Sequence, residues 1–323
     1  MPAPTKDGQN APLFLLAPPR SFTSIICAML GQHPQMYGLP ELHLFGAKTL
    51  AEWSAQSLRT ARDMDHGLLR AVAQLYFGEQ TERSVLLARG WLRRRACLST
   101  GYVFELLAEK VHPKIPVDKS PTVVYSVKYM RRSYQMFPHA RFIHLVRHPR
   151  SQGESVMKRI RLAAMQGPVP KWMTDLASFP IRRAKDGNSQ RHSDVLDPQY
   201  GWLSLNMNIC DFLKFVPEDQ KIRIRGEDVV TYPDRLLREI AGWLELRTDS
   251  EAIEEMKHPE RSPYACFGPP GASIGNDRFF LRDPVLRSNS ARPQVLEGPL
   301  QWREDGLGFL PEVNELARHF GYR

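Results

Sequence analysis

The sequence predicts an α/β fold in which a central parallel sheet is flanked by helices. Three observations carry that prediction. Two short apolar runs, PLFLLA (12–17) and RFIHLV (141–146), have the hydrophobicity of strands buried on both faces. Each leads through a polar turn into a helical pattern: PPRSFTS into IICAMLG, and RHPRSQG into a helix beginning near Pro149–Gln152. The residues between the two units are helical in period, and strand–helix repeats of this kind assemble by right-handed crossovers into parallel sheets.

Taken in order, residues 1–11 (MPAPTKDGQNA) are small, polar and proline-rich, the composition of a flexible terminus. The first helix ends near Gly31, with Ser21 or Thr23 as its cap. Residues 44–110 predict helices, with apolar side chains three and four apart within 47–62, 67–77 and 84–98. VDKSP (117–121) follows a turn-rich stretch and precedes another helical segment. Residues 160–200, where Pro168, Pro170, Pro180 and Pro198 alternate with glycine and basic residues, read as a lid or acceptor-binding insertion. Trp172, Phe179 and Trp202 are available there to line an apolar pocket. A helix over 202–216, a strand in KIRIRGEDV (221–229) and a helix within 232–246 follow. A long ordered loop over 258–293 and a final helix over 311–320 close the chain. No solenoid repeat interrupts this order, and residues 1–323 read as a single domain.

A net charge of +9 favours anionic partners. The basic clusters at 93–95, 131–132 and 182–183 are short enough to be solvated helix faces, and no nucleic-acid partner is expected. Cys27, Cys97, Cys210 and Cys266 lie far apart without a CxxC pair. They predict reduced, mostly buried thiols, with neither a zinc site nor a disulfide framework. The apolar run 13–17 is too short for a signal sequence and is stopped by Pro18 and Pro19. Nothing approaches the roughly 20 apolar residues of a membrane span. A cytoplasmic protein is the expectation; oligomeric state is not legible.

The loop after the first strand is the first candidate site. A polar turn leading into a helix offers free backbone N–H groups and the positive end of the helix dipole to an anion. Arg20 adds a planar charge suited to phosphate, and Ser21, Thr23 and Ser24 add hydroxyls. The pattern GxxxxGK[ST] is absent, which disfavours an ordinary P-loop kinase. A P-loop-like small-metabolite kinase and a non-catalytic nucleotide-binding protein stand as alternatives, the latter weakened by the lack of aromatics interleaved with a basic stripe.

PPRSFTSIICAML resembles the 5′-phosphosulfate-binding loop of PAPS-dependent sulfotransferases (PAPS is 3′-phosphoadenosine 5′-phosphosulfate). Bacterial members of that family often read P-R-S-G-T-T before an apolar helix. The match falls on Pro19, Arg20, Ser21, Thr23 and Ser24. Phe22 stands where the family has glycine, which implies a reshaped donor loop or a ring facing the acceptor. FPHARFIHLVRHPRSQGES resembles the family's 3′-phosphate site, a strand-end arginine with a serine eight positions on, here Arg147 and Ser155. PELHLF (40–45) and DKSP (118–121) resemble stretches of bacterial sulfotransferases, including those of polyketide assembly lines. RIRGEDVVTYPDRLLREIAGWLEL is similar to the family's R-Y-E-D-L segment, with Gly226 where an aromatic that stacks on adenine is common.

The resemblance implies a P-loop-like three-layer fold and transfer of a sulfuryl group from PAPS to a hydroxyl, with release of PAP and without a metal. The acceptor it implies is a small, lipid-like or carrier-bound molecule. Such an in-line displacement depends on positioning and electrostatics. Arg20 and Lys119 are then expected on the bridging and departing oxygens, with Ser120 or Thr23 adding a hydrogen bond. Glu41 is the expected base, with His43 as alternative or orienting partner, because a partly buried carboxylate or a neutral imidazole accepts a proton near neutrality. The loop GASIGNDRFFLR (271–282) is expected to give Arg278 or Arg282 to the 3′-phosphate.

Overall fold

The computed structural model describes residues 11–60, 63–165, 167–169, 174, 196–287 and 294–323. Five strands form one sheet: β1 (Leu13–Leu16), β2 (Met36–Gly38), β3 (Ile115–Asp118), β4 (Arg141–Val146) and β5 (Lys221–Arg225). Their order is β2-β3-β1-β4-β5, and every pairing is parallel. At the centre, Leu13–Leu16 lies opposite Arg141–His144 on one side, while Leu13 and Phe14 face Val117 and Asp118 on the other.

Helices fill both faces. In chain order they are α1 (Thr23–Gly31), α2 (Leu50–Thr60), α3 (His66–Phe77), α4 (Glu82–Arg93), α5 (Thr100–Val111) and α6 (Val127–Met136). After these come α7 (Pro149–Ala164), α8 (Pro198–Leu213), α9 (Gly226–Thr231), α10 (Pro233–Trp243), α11 (Ser250–Met256), α12 (Arg278–Arg282) and α13 (Pro311–His319). The alternation of a strand's side chains divides the core in two. Phe14 and Leu16 join a cluster with α3, α5 and α8, whereas Leu13 and Leu15 join one with α1, α10 and α11. The first cluster is aromatic around Phe14, whose ring centroid lies 5.5 Å from that of Phe45, 5.6 Å from Phe142 and 5.7 Å from Phe104.

The two apolar runs become β1 and β4, as their hydrophobicity predicts, but β2 and β3 carry no such signal. They read MYG and IPVD, and a proline argues against an interior strand. Pro116 is accommodated because the bonds to the neighbouring chain use Ile115 N–H and Val117 C=O and pass over it. The expected loop 258–293 contains α12 and a short 3-10 turn at Pro259–Arg261. Of the predicted lid, α7 runs on to Ala164 and α8 begins at Pro198, while Trp172 and Phe179 lie outside the described residues, as does 1–10. Trp202 lines no pocket: it is wholly buried against Phe320, in a cluster with Val146. The cysteines are all free, but Cys97 and Cys266 are exposed, because the helix end and the loop that carry them have no apolar cover. Among the described residues no helix is long and apolar enough to cross a membrane. Among the same residues no group of three or more His, Cys, Asp or Glu is placed to hold a metal ion.

His144 in β4 is a packed core residue. Its Nε2 lies 3.0 Å from Asn206 Oδ1, and its Nδ1 accepts from Arg223 Nε at 3.3 Å, an arrangement that needs the neutral ring. Burial, with Arg223 adding to it, lowers its pKa from 6.5 to about 3. The unfolded chain therefore takes up a proton below about pH 6.5 that the folded chain refuses until about pH 3, so stability falls on acidification across that window. This group's share of the slope is about 1.4 kcal/mol per pH unit. Urea midpoints at pH 7, 6 and 5 should fall less steeply for His144→Gln than for the parent; equal slopes would contradict the assignment.

Candidate active site

A parallel sheet ends all its strands at one edge, and the loops leaving that edge converge. In this chain β1 leads to Pro19–Ser24, β2 to Glu41 and His43, β3 to Lys119 and Ser120, and β4 to Arg147.

The loop after β1 has an uncommon backbone. Arg20 (φ 72°) and Phe22 (φ 61°) are both left-handed without being glycine, a conformation that costs roughly 1–2 kcal/mol per residue. Hydrogen bonds from α7 and β4 hold it: Gln152 Nε2 donates to Pro19 O at 2.9 Å, and Arg147 donates to the carbonyl of Arg20. Neither Ser21 nor Thr23 caps α1, contrary to the sequence expectation. Phe22 occupies the cap position with no side-chain bond, because the left-handed turn at 20–22 carries the hydroxyls elsewhere. Ser21 Oγ is buried and, among the described residues, has no hydrogen-bond partner. An unused hydroxyl beside an uncapped helix N-terminus fits an oxygen-rich anion.

Arg20 donates through Nε to Ser155 Oγ at 3.0 Å and is ion-paired with Asp277. Burial, then repulsion from Arg147 and Arg159, lowers its pKa to about 10. Arg147 binds Ser151 Oγ through Nε at 3.1 Å, and its guanidinium lies 4.3 Å from the centroid of Phe22. Trp202 Nε1 supports the same residue from behind, donating to Arg147 O at 2.8 Å. Arg147 and Ser155 thus flank one loop, but the serine's direct partner is Arg20.

The second group centres on Lys119, whose side chain has no exposure. Its Nζ lies 2.9 Å from Ser24 Oγ and 2.5 Å from Glu41 Oε1. Glu41 Oε2 is 3.5 Å from His43 Nε2, and His43 Nδ1 is 3.1 Å from Thr122 Oγ1. Burial raises the Glu41 pKa, but Lys119 and then His43 outweigh it and hold the group at about 2. The segment is clamped: Glu41 N donates to Gly275 O at 2.8 Å, and a Cβ on Gly67 would lie 2.0 Å from Glu41 O. Only glycine lets α3 approach so closely.

Ser120 is a structural hub here. Its Oγ accepts from Leu42 N at 3.0 Å and His43 N at 2.9 Å, and donates to Asp118 Oδ1 at 2.8 Å. Burial pushes the Asp118 carboxyl up to about 6 against the pull of those bonds. The loop 271–282 does reach the donor loop, but through its acid: Asp277 meets Arg20, its N–H lies 3.3 Å from Ser24 Oγ, and it caps α12. Arg278 pairs with Asp63 Oδ2 at 3.1 Å. Asp277 had no signal in the sequence, since it is separated from Arg20 by 257 positions.

Along α7 next to Ser155, Glu154, Met157, Lys158, Arg161 and Leu162 line, with Gln301 and Trp302, a cavity of about 330 Å³. Phe279 connects it to the donor loop, its ring centroid being 5.4 Å from Lys158 Nζ and 5.1 Å from the Arg20 guanidinium.

The model of the sulfotransferase family matches residues 12–250. The chain belongs to the sulfotransferase family. It is therefore a transferase of sulfuryl groups, and the kinase and non-catalytic alternatives fall away. No curated protein matches the sequence. Among solved structures, the sulfotransferase domain from the curacin biosynthetic pathway is similar at 22% identity and a TM-score of 0.71, over 97% of this chain and 98% of that one. The sulfotransferase domain of the Synechococcus PCC 7002 olefin synthase is similar at 22% identity and a TM-score of 0.66, over 99% and 98%. A Mycobacterium avium sulfotransferase shares 15% identity at a TM-score of 0.50, over 98% of this chain and 78% of that one. These likenesses show a common fold, the flanked parallel sheet.

In this sulfotransferase Ser120→Ala leaves two amide donors without their acceptor, at a cost of about 1–3 kcal/mol. The urea midpoint should fall accordingly. A midpoint within error of the parent would show that Ser120 is not the hub described.

Proposed function

We propose that this sulfotransferase moves the sulfuryl group of PAPS to the hydroxyl of a small-molecule, lipid-like or carrier-bound acceptor and releases PAP. One observation carries the reading: Arg20, Arg147 and Lys119 leave three adjacent strands and gather around the uncapped N-terminus of α1. That concentration of positive charge and free N–H groups suits a nucleotide with anionic groups at both its 5′ and 3′ positions.

In this reading Ser21, Thr23 and Ser24, with the α1 N–H groups, bind the 5′-phosphosulfate, and Arg147 with Ser155 receives the 3′-phosphate. Arg20 and Lys119 stabilise charge on the departing oxygens. Glu41 takes the acceptor's proton, oriented by His43, which is itself tied to Thr122. A carboxylate held near 2 is a feeble base while Lys119 grips it. As Lys119 shifts its hold toward the negative charge building on the leaving oxygen, Glu41 loses its cation and gains basicity at the moment a base is needed. On the acceptor side, the cavity along α7 combines Met157, Leu162 and Trp302 with two cations, Lys158 and Arg161, against one acid, Glu154. Such a lining suits an acceptor with an apolar body and an anionic group. Four free cysteines suit a reducing compartment such as the cytoplasm. One continuous sheet supports a single domain.

Thermal stabilisation by PAP should exceed that by AMP or ADP, and Arg147→Ala should cut PAP affinity by roughly 10- to 100-fold, the worth of a charge-assisted bond. Equal stabilisation by all three nucleotides would overturn the donor assignment. Glu41→Gln keeps an acceptor for Lys119. It should leave PAP binding nearly intact while slowing transfer by roughly 10²–10⁴-fold. Loss of PAP binding along with turnover would make Glu41 structural, and undiminished turnover would pass the role to His43.

A further inference from the structure

The fold brings Phe22 in the donor loop into contact with Gly226, the first residue of α9. A Cβ on Gly226 would lie 2.7 Å from Phe22 Cδ2 and 3.4 Å from Phe22 Cβ. Another neighbour of the Phe22 ring is Arg147, with its guanidinium 4.3 Å from the centroid. Arg147 also donates to the carbonyl of Arg20, two residues before the ring.

The backbone indicates that this contact has a use. Phe22 is held at φ 61° and ψ 9°, where glycine would sit without strain. A ring retained at such a position is one whose contacts outweigh the cost. The ring packs on the core around β1, and two of its contacts bear on a guanidinium: Arg147 lies over the ring, and Gly226 has no side chain to push the ring away.

We infer that Phe22 is a positioning residue that holds Arg147 in register for the nucleotide's 3′-phosphate, and that Gly226 is required because it leaves room for the ring. This rests on the proposed reading that Arg147 receives that phosphate. Phe22 touches no reacting atom in this account; it acts through the arginine.

The test is the ratio of AMP to PAP dissociation constants, measured by calorimetry on the full chain. Damage to the donor loop as a whole weakens both nucleotides together, whereas misplacing Arg147 weakens PAP alone. In Phe22→Gly, which relieves the left-handed backbone, the ratio should fall by roughly 3- to 30-fold, the range of a cation–π contact of this kind. Phe22→Tyr should retain it. Gly226→Ala should lower the ratio when Phe22 is present and change it little in the Phe22→Gly background, since the methyl then meets no ring. An unchanged ratio in Phe22→Gly, or losses that simply add in the double variant, would overturn the positioning role while leaving the Arg147 assignment standing. A parent protein with no preference for PAP over AMP would overturn that assignment first, and this inference with it. If Gly226→Ala does not fold, the Phe22→Gly and Phe22→Tyr pair still decides.

Discussion

Leu13–Leu16 pairs in parallel with a strand on each side, and that pairing obliges β1, β3 and β4 to end at a common edge. Four residues suffice because each is buried and the two faces alternate between separate cores. Arg20, Lys119 and Arg147 leave the ends of these three strands, so residues as far as 127 positions apart become neighbours without any local signal to unite them. The same register carries Glu41 to Lys119, since β2 lies against β3. A site made in this way inherits the rigidity of the sheet, while its chemistry resides in loops that the sheet merely aims.

Gathering cations has a cost that the site meets with its own acids. Arg20 is lowered by burial and by two neighbouring arginines, and it is paired with Asp277. Lys119 is fully enclosed and paired with Glu41. An unpaired buried charge is strongly unfavourable, so each acid stabilises a cation that would otherwise lack a counter-ion. An anionic nucleotide would supply the same compensation. On the proposed reading, Asp277 stands where the donor's own charges would compete for Arg20. The carboxylate proposed as base is for the same reason least basic when its lysine is at home.

Much of this was legible in the residues themselves. PLFLLA and RFIHLV are strands because they are largely apolar, and the periodic segments after them are helices. The cap of α1 was misread because hydroxyls at Ser21 and Thr23 satisfy a local rule that the left-handed turn at Arg20–Phe22 overrides. β2 and β3 escaped notice because MYG and IPVD become strands only when the ladder beside them exists. Trp202 suggested a pocket by its bulk, yet α8 turns it inward to the carbonyl of Arg147.

By itself, then, the sequence determined the fold class and which charged residues follow the strands, since hydrophobic runs, periods and charged side chains are properties of short segments. Tertiary structure decided what those residues touch. It paired Arg20 with Asp277, gave Ser155 to Arg20 and turned Ser120 into a backbone hub. It also laid Phe22 across Gly226 beneath Arg147. The physical reason is the same in each case: a contact between segments separated by many tens of residues is set by strand order and register, which depend on how all the segments pack at once.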